Sequence, residues 1–291
     1  AFWRPYVEEA LARHGLADAG REPSAGFNAT HPTFVCGDVV VKLFGHFRAW
    51  KAGHAAERAA QALIATDPQI AAPRVLAQGA LFDDGEAPWP YLITTRVAGS
   101  TWSQTAHAAP QRLALAAEVG RQVRRVHALP TAGAPGPAHW PAPDAVEAAR
   151  RSVLPPHLVD QVDGFLGRLG PLDPIFVHGD LVPNHIYVAG DRVVGLIDWG
   201  DALVHDRHLE LGKLYFDTFG CDKALLRAFL DAANWPVEGD FPQKGLGLAL
   251  HRQALGLAQH LGFDVFHSLP GRLPLDEVAT LDELANALFN V

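Results

Sequence analysis

The sequence is poor in cysteine and has no long apolar run. Cys36 and Cys221 are the only cysteines among 291 residues. This excludes a disulfide scaffold and a cysteine-based zinc site, and it favours a reducing compartment. No apolar segment reaches the ~18 residues that a membrane helix needs, so an integral membrane protein is excluded. Residues 1–15 include two glutamates where a signal peptide is apolar. We therefore expect a cytoplasmic protein.

The chain also lacks an excess of positive charge. Its net charge is −8 at pH 7, which argues against a nucleic-acid-binding protein. Residues 1–170 hold 16 of the 24 basic and 15 of the 32 acidic residues, and residues 171–291 hold the other 8 and 17. The excess of acid therefore lies in the C-terminal part. The hydrophobic fraction of 48% is that of a globular chain, and the length fits one large domain or two lobes.

The first hundred residues predict a small antiparallel sheet. Residues 33–44 are rich in β-branched and aromatic side chains and are split by Gly37-Asp38, which is typical of a hairpin. Two further strands are predicted at 75–82 and 91–97. Ala-rich and amphipathic patterns predict helices at 5–15 and 52–66.

The remainder of the chain predicts mostly helices. Short apolar runs at 175–177, 186–188 and 193–197 are of strand type and flank turns rich in histidine and aspartate. The predicted helices are 104–128, 144–153, 157–169, 208–218, 222–233, 245–261 and 276–289. We predict an α+β protein with a β-rich lobe over residues 1–97 and a helical lobe over residues 98–291.

Histidine and aspartate residues cluster at the ends of these short strands. His178, Asp180 and His185 lie between two apolar runs, and Asp198 follows a third. Carboxylates and imidazoles brought together at strand ends suit a metal site or an acid–base site. Carboxylate oxygens favour Mg²⁺, which proteins usually hold by one or two carboxylates together with substrate phosphates.

Residues 176–201 resemble the catalytic and metal loops of the aminoglycoside phosphotransferase and choline kinase family. The family pattern His-Gly-Asp-Leu-x-Pro-x-Asn is matched in register by residues 178–181 and Pro183, and Ile-Asp-Trp by residues 197–199. The resemblance implies a bilobal, protein-kinase-like α+β fold. Its N-lobe would be a small antiparallel sheet with one helix, and its C-lobe would be large and mostly α-helical.

The resemblance also implies roles for individual residues. Asp180 would be the catalytic aspartate that orients the acceptor hydroxyl, Asp198 the principal Mg²⁺ ligand, and His178 a residue that shapes the loop. The family's metal-binding asparagine falls at His185. We take His185 as the second metal ligand and keep Asn184, one residue earlier, as the alternative. Imidazole is a softer ligand than an amide, so Mn²⁺ is expected to substitute for Mg²⁺.

The N-terminal part offers an independent check. Lys42 stands inside an apolar strand, where a charge is costly unless it reaches a partner. Glu57 follows 15 residues later on the next predicted helix. A kinase-like fold needs a strand lysine for the nucleotide phosphates and a helix glutamate that holds it. We expect Lys42 and Glu57 to be that pair.

The family resemblance also implies further contacts with the nucleotide, at the positions of this sequence that match the family's nucleotide-binding segments. The loop before the first strand of the hairpin offers Asn28 and Thr30 for the β- and γ-phosphates of ATP or GTP. Residues 91–99 resemble the family's hinge, where backbone groups of Thr95 and Val97 would bond the purine. Downstream of the metal aspartate, Asp206 and Glu210 are expected to support the catalytic loop by hydrogen bonds.

The favoured function is a small-molecule kinase, expected to be a monomer or weak dimer, that takes a nucleoside triphosphate and a hydroxyl acceptor. The acidic C-terminal part predicts a cationic acceptor, with an aminoglycoside first. Alternatives of the same family are a macrolide phosphotransferase and an amino-alcohol or metabolite kinase. A metal-dependent hydrolase and a non-catalytic kinase-like binding module stay open as remote alternatives. The candidate acceptor-binding residues are Asp201, Asp217, Trp235 and Asp264.

Overall fold

A five-stranded antiparallel sheet forms the N-terminal part of the computed structural model, in the order β1-β2-β3-β5-β4. The structure describes residues 2–17, 22–26, 30–46, 50–135, 144–258 and 262–291. The strands are β1 (Ser24–Ala25), β2 (Thr33–Cys36), β3 (Val39–Leu43), β4 (Val75–Ala80) and β5 (Pro90–Thr95). Helices α1 (Arg4–Ala12) and α2 (Trp50–Ile64) accompany the sheet.

The β2–β3 hairpin places Lys42 in the middle of this sheet. Gly37 has a φ of +63°, a left-handed conformation that glycine adopts without strain, and it turns the chain between the two strands. Lys42 pairs with Thr33 on one side and with Leu92 on the other. Because its neighbours Val41 and Leu43 are buried on the opposite face, Lys42 extends from the other face of the sheet.

The C-terminal part packs helices around two small sheets. Strands β7 and β10 pair antiparallel, and β6, β8 and β9 form a second sheet in the order β6-β8-β9. The strands are β6 (Ser100–Thr101), β7 (Pro174–Val177), β8 (Ile186–Ala189), β9 (Arg192–Leu196) and β10 (Leu203–Asp206). The catalytic-loop and metal-loop motifs follow β7 and β9, so the two sheets bring them together.

The helices of this part enclose one large apolar core. Helix α3 packs along α8, and α9 packs against α4, α7 and α10. The helices are α3 (Ala109–His127), α4 (Ala145–Arg150), α5 (Pro156–Val159), α6 (Val162–Leu166), α7 (Leu209–Lys213), α8 (Lys223–Ala233), α9 (Phe241–Ala258) and α10 (Leu281–Phe289). No helix in the described ranges is both long and apolar enough to cross a bilayer.

The predicted α+β arrangement is confirmed, with local differences. The N-terminal sheet has two accompanying helices rather than one. The helix predicted at 157–169 is two short helices, α5 and α6, and the one predicted at 208–218 continues from α7 as a π-helical turn over Leu214–Thr218. The lobe boundary at Val97 stays a prediction.

Candidate active site

Lys42 joins the N-terminal sheet to the metal loop. Its Nζ lies 2.6 Å from Glu57 Oε2 and 2.8 Å from Asp198 Oδ1. The side chains of Lys42 and Glu57 are 13% and 7% exposed, so both charges are largely removed from water. The structure therefore brings together the two residues that the sequence paired 15 positions apart, and it adds Asp198 from a loop 156 residues downstream.

Lys42 and Asp198 hold each other ionised. Burial on its own lowers the Lys42 pKa, but the carboxylates of Asp198 and Glu57 outweigh it, and the net pKa is raised. For Asp198, burial raises the pKa, but the Lys42 cation brings it well below the usual range. Burial raises the pKa of Glu57 despite Lys42. Asp198 is thus an anion near neutral pH, as a cation ligand must be.

Asp198 has an uncommon backbone conformation. Its φ is +63°, in the left-handed region that few residues other than glycine adopt. The residue stands between β9 and the short 3₁₀ helix Trp199–Asp201. This turn directs its carboxylate toward Lys42, and such strain is typical of functional positions.

His178 is buried and shapes the catalytic loop. Burial lowers the pKa of its imidazole, which favours the neutral form. Its Nδ1 accepts from the Asp180 amide at 3.2 Å, and its Nε2 donates to Ile197 O at 3.0 Å. One neutral tautomer therefore satisfies both contacts and ties the loop around Asp180 to the chain just before Asp198.

Glu210 supports the same loop from the start of α7, whereas Asp206, the last residue of β10, bonds to residues outside that loop. Glu210 Oε2 accepts from the Gly179 amide at 3.0 Å, and its other oxygen accepts from the His178 amide. Asp206 is 1% exposed, and its oxygens accept from the Asp173 amide at 3.0 Å and from His208 Nδ1 at 2.7 Å. The Glu210 bonds agree with the supporting role that the sequence predicted for it, but the Asp206 bonds hold Asp173 and His208 and not the catalytic loop.

His185 lies between Asp180 and Asp198. Its Nδ1 donates to Asp180 O at 2.8 Å, because a carbonyl can only accept. Its Nε2 faces Asp198 Oδ2 at 3.5 Å. Asn184 is turned away, since its Oδ1 accepts from Ser103 Oγ. The geometry therefore favours His185 over Asn184 as the partner of Asp198.

The donor set fits a divalent cation that is completed by phosphates. In the neutral His185 tautomer, Nε2 and Asp198 Oδ2 are both electron-pair donors that face each other, and a cation satisfies both. No cluster of three or more histidine, cysteine or carboxylate side chains that could hold a metal ion occurs in the described part of the chain. A two-residue site of this kind suits Mg²⁺ or Mn²⁺, which keeps positions for substrate oxygens.

Arg252 is a component of the site that the sequence analysis missed. It extends from α9, and its guanidinium is 2% exposed. Nε donates to Gly179 O at 2.7 Å, and Nη2 lies 3.2 Å from Asp180 Oδ1 and 3.0 Å from Asp201 Oδ2. One feature of the sequence could have identified Arg252: it stands in the apolar stretch 245–258, where an unpaired charge is costly.

The carboxylates proposed for the acceptor have partners within the chain. Asp201 pairs with Arg252, and Asp217 with Lys213 at 3.2 Å. Burial raises the pKa of Asp201 and of Asp217, although these cations oppose it. Asp264 accepts from the amides of Val153 and Phe266 at 2.9 and 2.8 Å.

Trp235, the aromatic candidate for the acceptor, is in the core. It is 7% exposed and packs against His127, His208 and Phe229. Its indole N–H points to His208 Nε2 at 3.4 Å. This packing leaves little of the indole surface for a ligand.

The structure gives less support to the residues predicted to contact the nucleotide from the phosphate loop and the hinge. Asn28 lies outside the described residues, and Thr30 is exposed. The Thr95 amide donates to Arg74 O at 2.9 Å, and the Arg96 amide donates to Asp38 O at 2.8 Å. Both amides are therefore occupied, and Val97 is the remaining hinge candidate.

A strand lysine held by a helix glutamate and bonded to an aspartate beside a His-Gly-Asp loop is typical of kinase-like phosphotransferases. The chain belongs to the phosphotransferase enzyme family, which it matches over residues 27–242. The family acts on hydroxyl groups, and the predicted enzyme class is confirmed.

Solved structures of phosphotransferases share this fold. Wild-type aminoglycoside 2′-phosphotransferase IIIa, as a GDP complex, is 18% identical with a TM-score of 0.67, covering 97% of this chain and 99% of that one. Macrolide 2′-phosphotransferase from Brachybacterium faecium is 17% identical with a TM-score of 0.61, covering 100% of this chain and 99% of that one. The Streptomyces rimosus aminoglycoside phosphotransferase APH(3″)-Id, with ADP and streptomycin, is 22% identical with a TM-score of 0.58, covering 87% and 99%. The protein-kinase-like fold is confirmed.

Proposed function

We propose that the protein transfers the γ-phosphoryl group of ATP or GTP to a hydroxyl group of a small molecule in the cytoplasm. The observation that carries this proposal is the contact of Lys42 Nζ with both Glu57 and Asp198. That cation lies between a helix carboxylate that fixes it and a carboxylate suited to a metal ion. Structures of similar fold in complex with GDP or ADP support a nucleoside triphosphate as the donor.

In this mechanism Asp180 orients the acceptor. Its carboxylate accepts the hydrogen bond of the hydroxyl and takes up the proton as the acceptor oxygen forms its bond to the γ-phosphorus. The bond between that phosphorus and the β–γ bridging oxygen breaks, and the nucleoside diphosphate leaves. Lys42 neutralises the phosphate oxygens. Catalysis of this kind depends on position and on charge stabilisation.

His185 and Asp198 would hold Mg²⁺ or Mn²⁺, which neutralises charge on the phosphates when bound. The chain's own contribution is orientation. Donation from His185 Nδ1 to Asp180 O leaves Nε2 free on the side of Asp198, and Lys42 holds the other oxygen of that carboxylate. Glu57 in turn fixes Lys42, so the phosphate-binding groups are ordered before the nucleotide arrives.

For the acceptor, an aminoglycoside is the first candidate. The support is the family resemblance and the aminoglycosides in complexes of similar fold, which contain kanamycin and streptomycin. The overall acidic balance of residues 171–291 gives a long-range attraction for polycations. Asp201 and Asp217 add little to this attraction, because both carboxylates already have cationic partners within the chain.

A macrolide is the second candidate, and the structural similarity to a macrolide 2′-phosphotransferase favours it. The ring of Phe263 supplies an aromatic surface beside the site, within 4.8 Å of the Arg252 guanidinium carbon. Such a surface suits an acceptor with a large apolar face.

A nucleotide-consumption screen tests the proposal. Aminoglycosides, macrolides, amino alcohols and neutral sugars are each incubated with ATP or GTP, with and without Mg²⁺. The expected result is acceptor-dependent and Mg²⁺-dependent release of the diphosphate. For a polycationic acceptor, KM should rise between low and physiological ionic strength, because salt screens the attraction. Release of phosphate from a monoester without nucleotide would support the hydrolase instead.

A further inference from the structure

Arg252 contacts the catalytic loop from outside the sequence motifs. It lies 72 residues from Asp180 and reaches it through the packing of α9. Two of its three hydrogen bonds go to the loop, one to the backbone oxygen of Gly179 and one to Asp180 Oδ1. The third goes to Asp201 Oδ2. One planar guanidinium therefore fixes both the backbone and the carboxylate at the catalytic position.

The surroundings hold this guanidinium in place. Its carbon lies 4.8 Å from the centroid of the Phe263 ring, a distance at which a cation is attracted to the aromatic face. The ring packs so closely against α9 at Gly256 that an added Cβ there would clash with its Cζ. Arg252 is thus rigid and closed off from solvent, as a group that positions another must be.

Close packing between the loop and Asp201 completes the arrangement. Gly179 has a φ of +79°, and a Cβ there would lie 2.8 Å from Asp201 O. The loop and the 3₁₀ turn that carries Asp201 are therefore in direct contact. This brings two carboxylates, Asp180 and Asp201, to the same guanidinium nitrogen.

We propose that Arg252 is a positioning residue that fixes the catalytic carboxylate of Asp180. It binds Oδ1, so that Oδ2, which lies 3.3 Å from His185 Nδ1, is the oxygen without a bond to the guanidinium and the one we assign to the acceptor hydroxyl. This inference rests on the proposed function and deepens it, since it assigns a role in catalysis to a residue outside the catalytic and metal loops. The competing explanation is that Arg252 only neutralises the buried carboxylate of Asp201.

Two kinds of variant separate these explanations. Arg252→Met removes the guanidinium but leaves Asp201 buried without its cation, so a loss of activity from this variant alone is ambiguous. The double variant Arg252→Met/Asp201→Asn removes both charges and relieves that cost. Arg252→Lys keeps a cation but lacks the fork that spans Gly179 O and Asp180.

The experiment compares these variants with wild type by thermal unfolding and by steady-state kinetics with the best acceptor from the screen. In Arg252→Met we expect a lower Tm, and kcat reduced about 100-fold, the effect of a misplaced catalytic group. The nucleotide KM should stay within about twofold, because the phosphate-binding residues are intact. The double variant should regain Tm and keep the low kcat. Arg252→Lys should recover about tenfold in kcat over Arg252→Met.

Arg125→Met is the matched control. It removes a guanidinium–carboxylate pair of similar geometry, with Arg125 Nε 3.0 Å from Asp67 Oδ2, away from the site. It should leave kcat unchanged. Recovery of both Tm and kcat in the double variant would overturn the proposal and leave Arg252 as a counterion of Asp201. So would a kcat in Arg252→Met within about threefold of wild type. Absence of transfer to any acceptor by wild type would instead refute the proposed function, and this inference with it.

Discussion

His185 Nε2 faces Asp198 Oδ2 across 3.5 Å, while Nδ1 of the same ring donates to Asp180 O. One imidazole therefore links the catalytic loop to the metal loop. In the neutral ring, donation from Nδ1 to the carbonyl leaves Nε2, the nitrogen that faces Asp198, with a free electron pair. His185 thus supplies an electron-pair donor for a metal ion at the position where the family pattern has asparagine.

The two candidate ligands predict different metal requirements. His185→Ala should raise the Mg²⁺ concentration needed for half-maximal activity, because only Asp198 then remains to hold the ion. Asn184→Ala should have a smaller effect, since Asn184 bonds to Ser103 rather than to the site. The measurement is activity as a function of Mg²⁺ and of Mn²⁺ for both variants. A larger effect from Asn184→Ala would show that the loop is in the other register.

Asp180 is expected to act on the acceptor and not on the nucleotide. Asp180→Asn should lower kcat by about 10²–10⁴-fold, the usual contribution of general base catalysis. Nucleotide affinity, measured by titration calorimetry with Mg²⁺, should be unchanged because Lys42 and Asp198 are intact. A variant that keeps more than about a tenth of wild-type kcat would contradict this role.

Lys42 should serve both stability and nucleotide binding. Lys42→Met leaves Glu57 and Asp198 without their cation, and loss of one partner of a buried pair typically costs about 3–5 kcal/mol of unfolding free energy. We expect a lower Tm and a higher nucleotide KM. The control is Lys51→Met at an exposed lysine of α2, which should change neither quantity. An unchanged nucleotide KM in Lys42→Met would refute the phosphate-binding role.

His205 should make the fold sensitive to acid. Burial, followed by the neighbouring His251, lowers its pKa from 6.5 to about 4. Because the unfolded chain binds this proton more tightly, stability is full above about pH 6.5 and falls as the pH drops below it. Between pH 7 and 5 this histidine alone should remove about 2 kcal/mol.

The test is a comparison, because the raised pKa values of Glu57, Asp201 and Asp217 act in the opposite direction. The difference in unfolding free energy between pH 7 and pH 5, measured with denaturant, should be smaller in His205→Gln than in wild type. His267→Gln, at a side chain that is 60% exposed, is the control and should match wild type. Parallel pH profiles for wild type and His205→Gln would contradict the prediction.

The site residues that the sequence predicted either lie close together along the chain or stand at a fixed spacing. His178, Asp180, His185 and Asp198 lie within 21 positions and are flanked by strand patterns. The lysine–glutamate pair was predicted because a charge in an apolar strand requires a partner. Local chemistry indicated a metal or acid–base site and a lysine that needs a partner, and the family resemblance supplied the individual roles.

What the sequence could not predict depends on tertiary packing. Arg252 meets Asp201 across 51 positions, and only the orientation of α9 decides that contact. The pairing of Lys213 with Asp217 follows helical i,i+4 spacing and was within reach of sequence analysis. An acidic balance alone does not show which carboxylates are free, and in the structure Asp201 and Asp217 are both paired with cations.

The most direct test of the central claim is the mass of the acceptor after reaction. Each acceptor that stimulates nucleotide consumption is analysed by mass spectrometry after incubation with wild type or Asp180→Asn, Mg²⁺ and ATP or GTP. The account predicts that wild type adds one phosphoryl group to the acceptor, in equal amount to the diphosphate formed, and that the variant adds almost none. Consumption of nucleotide with every acceptor left at its original mass would contradict it.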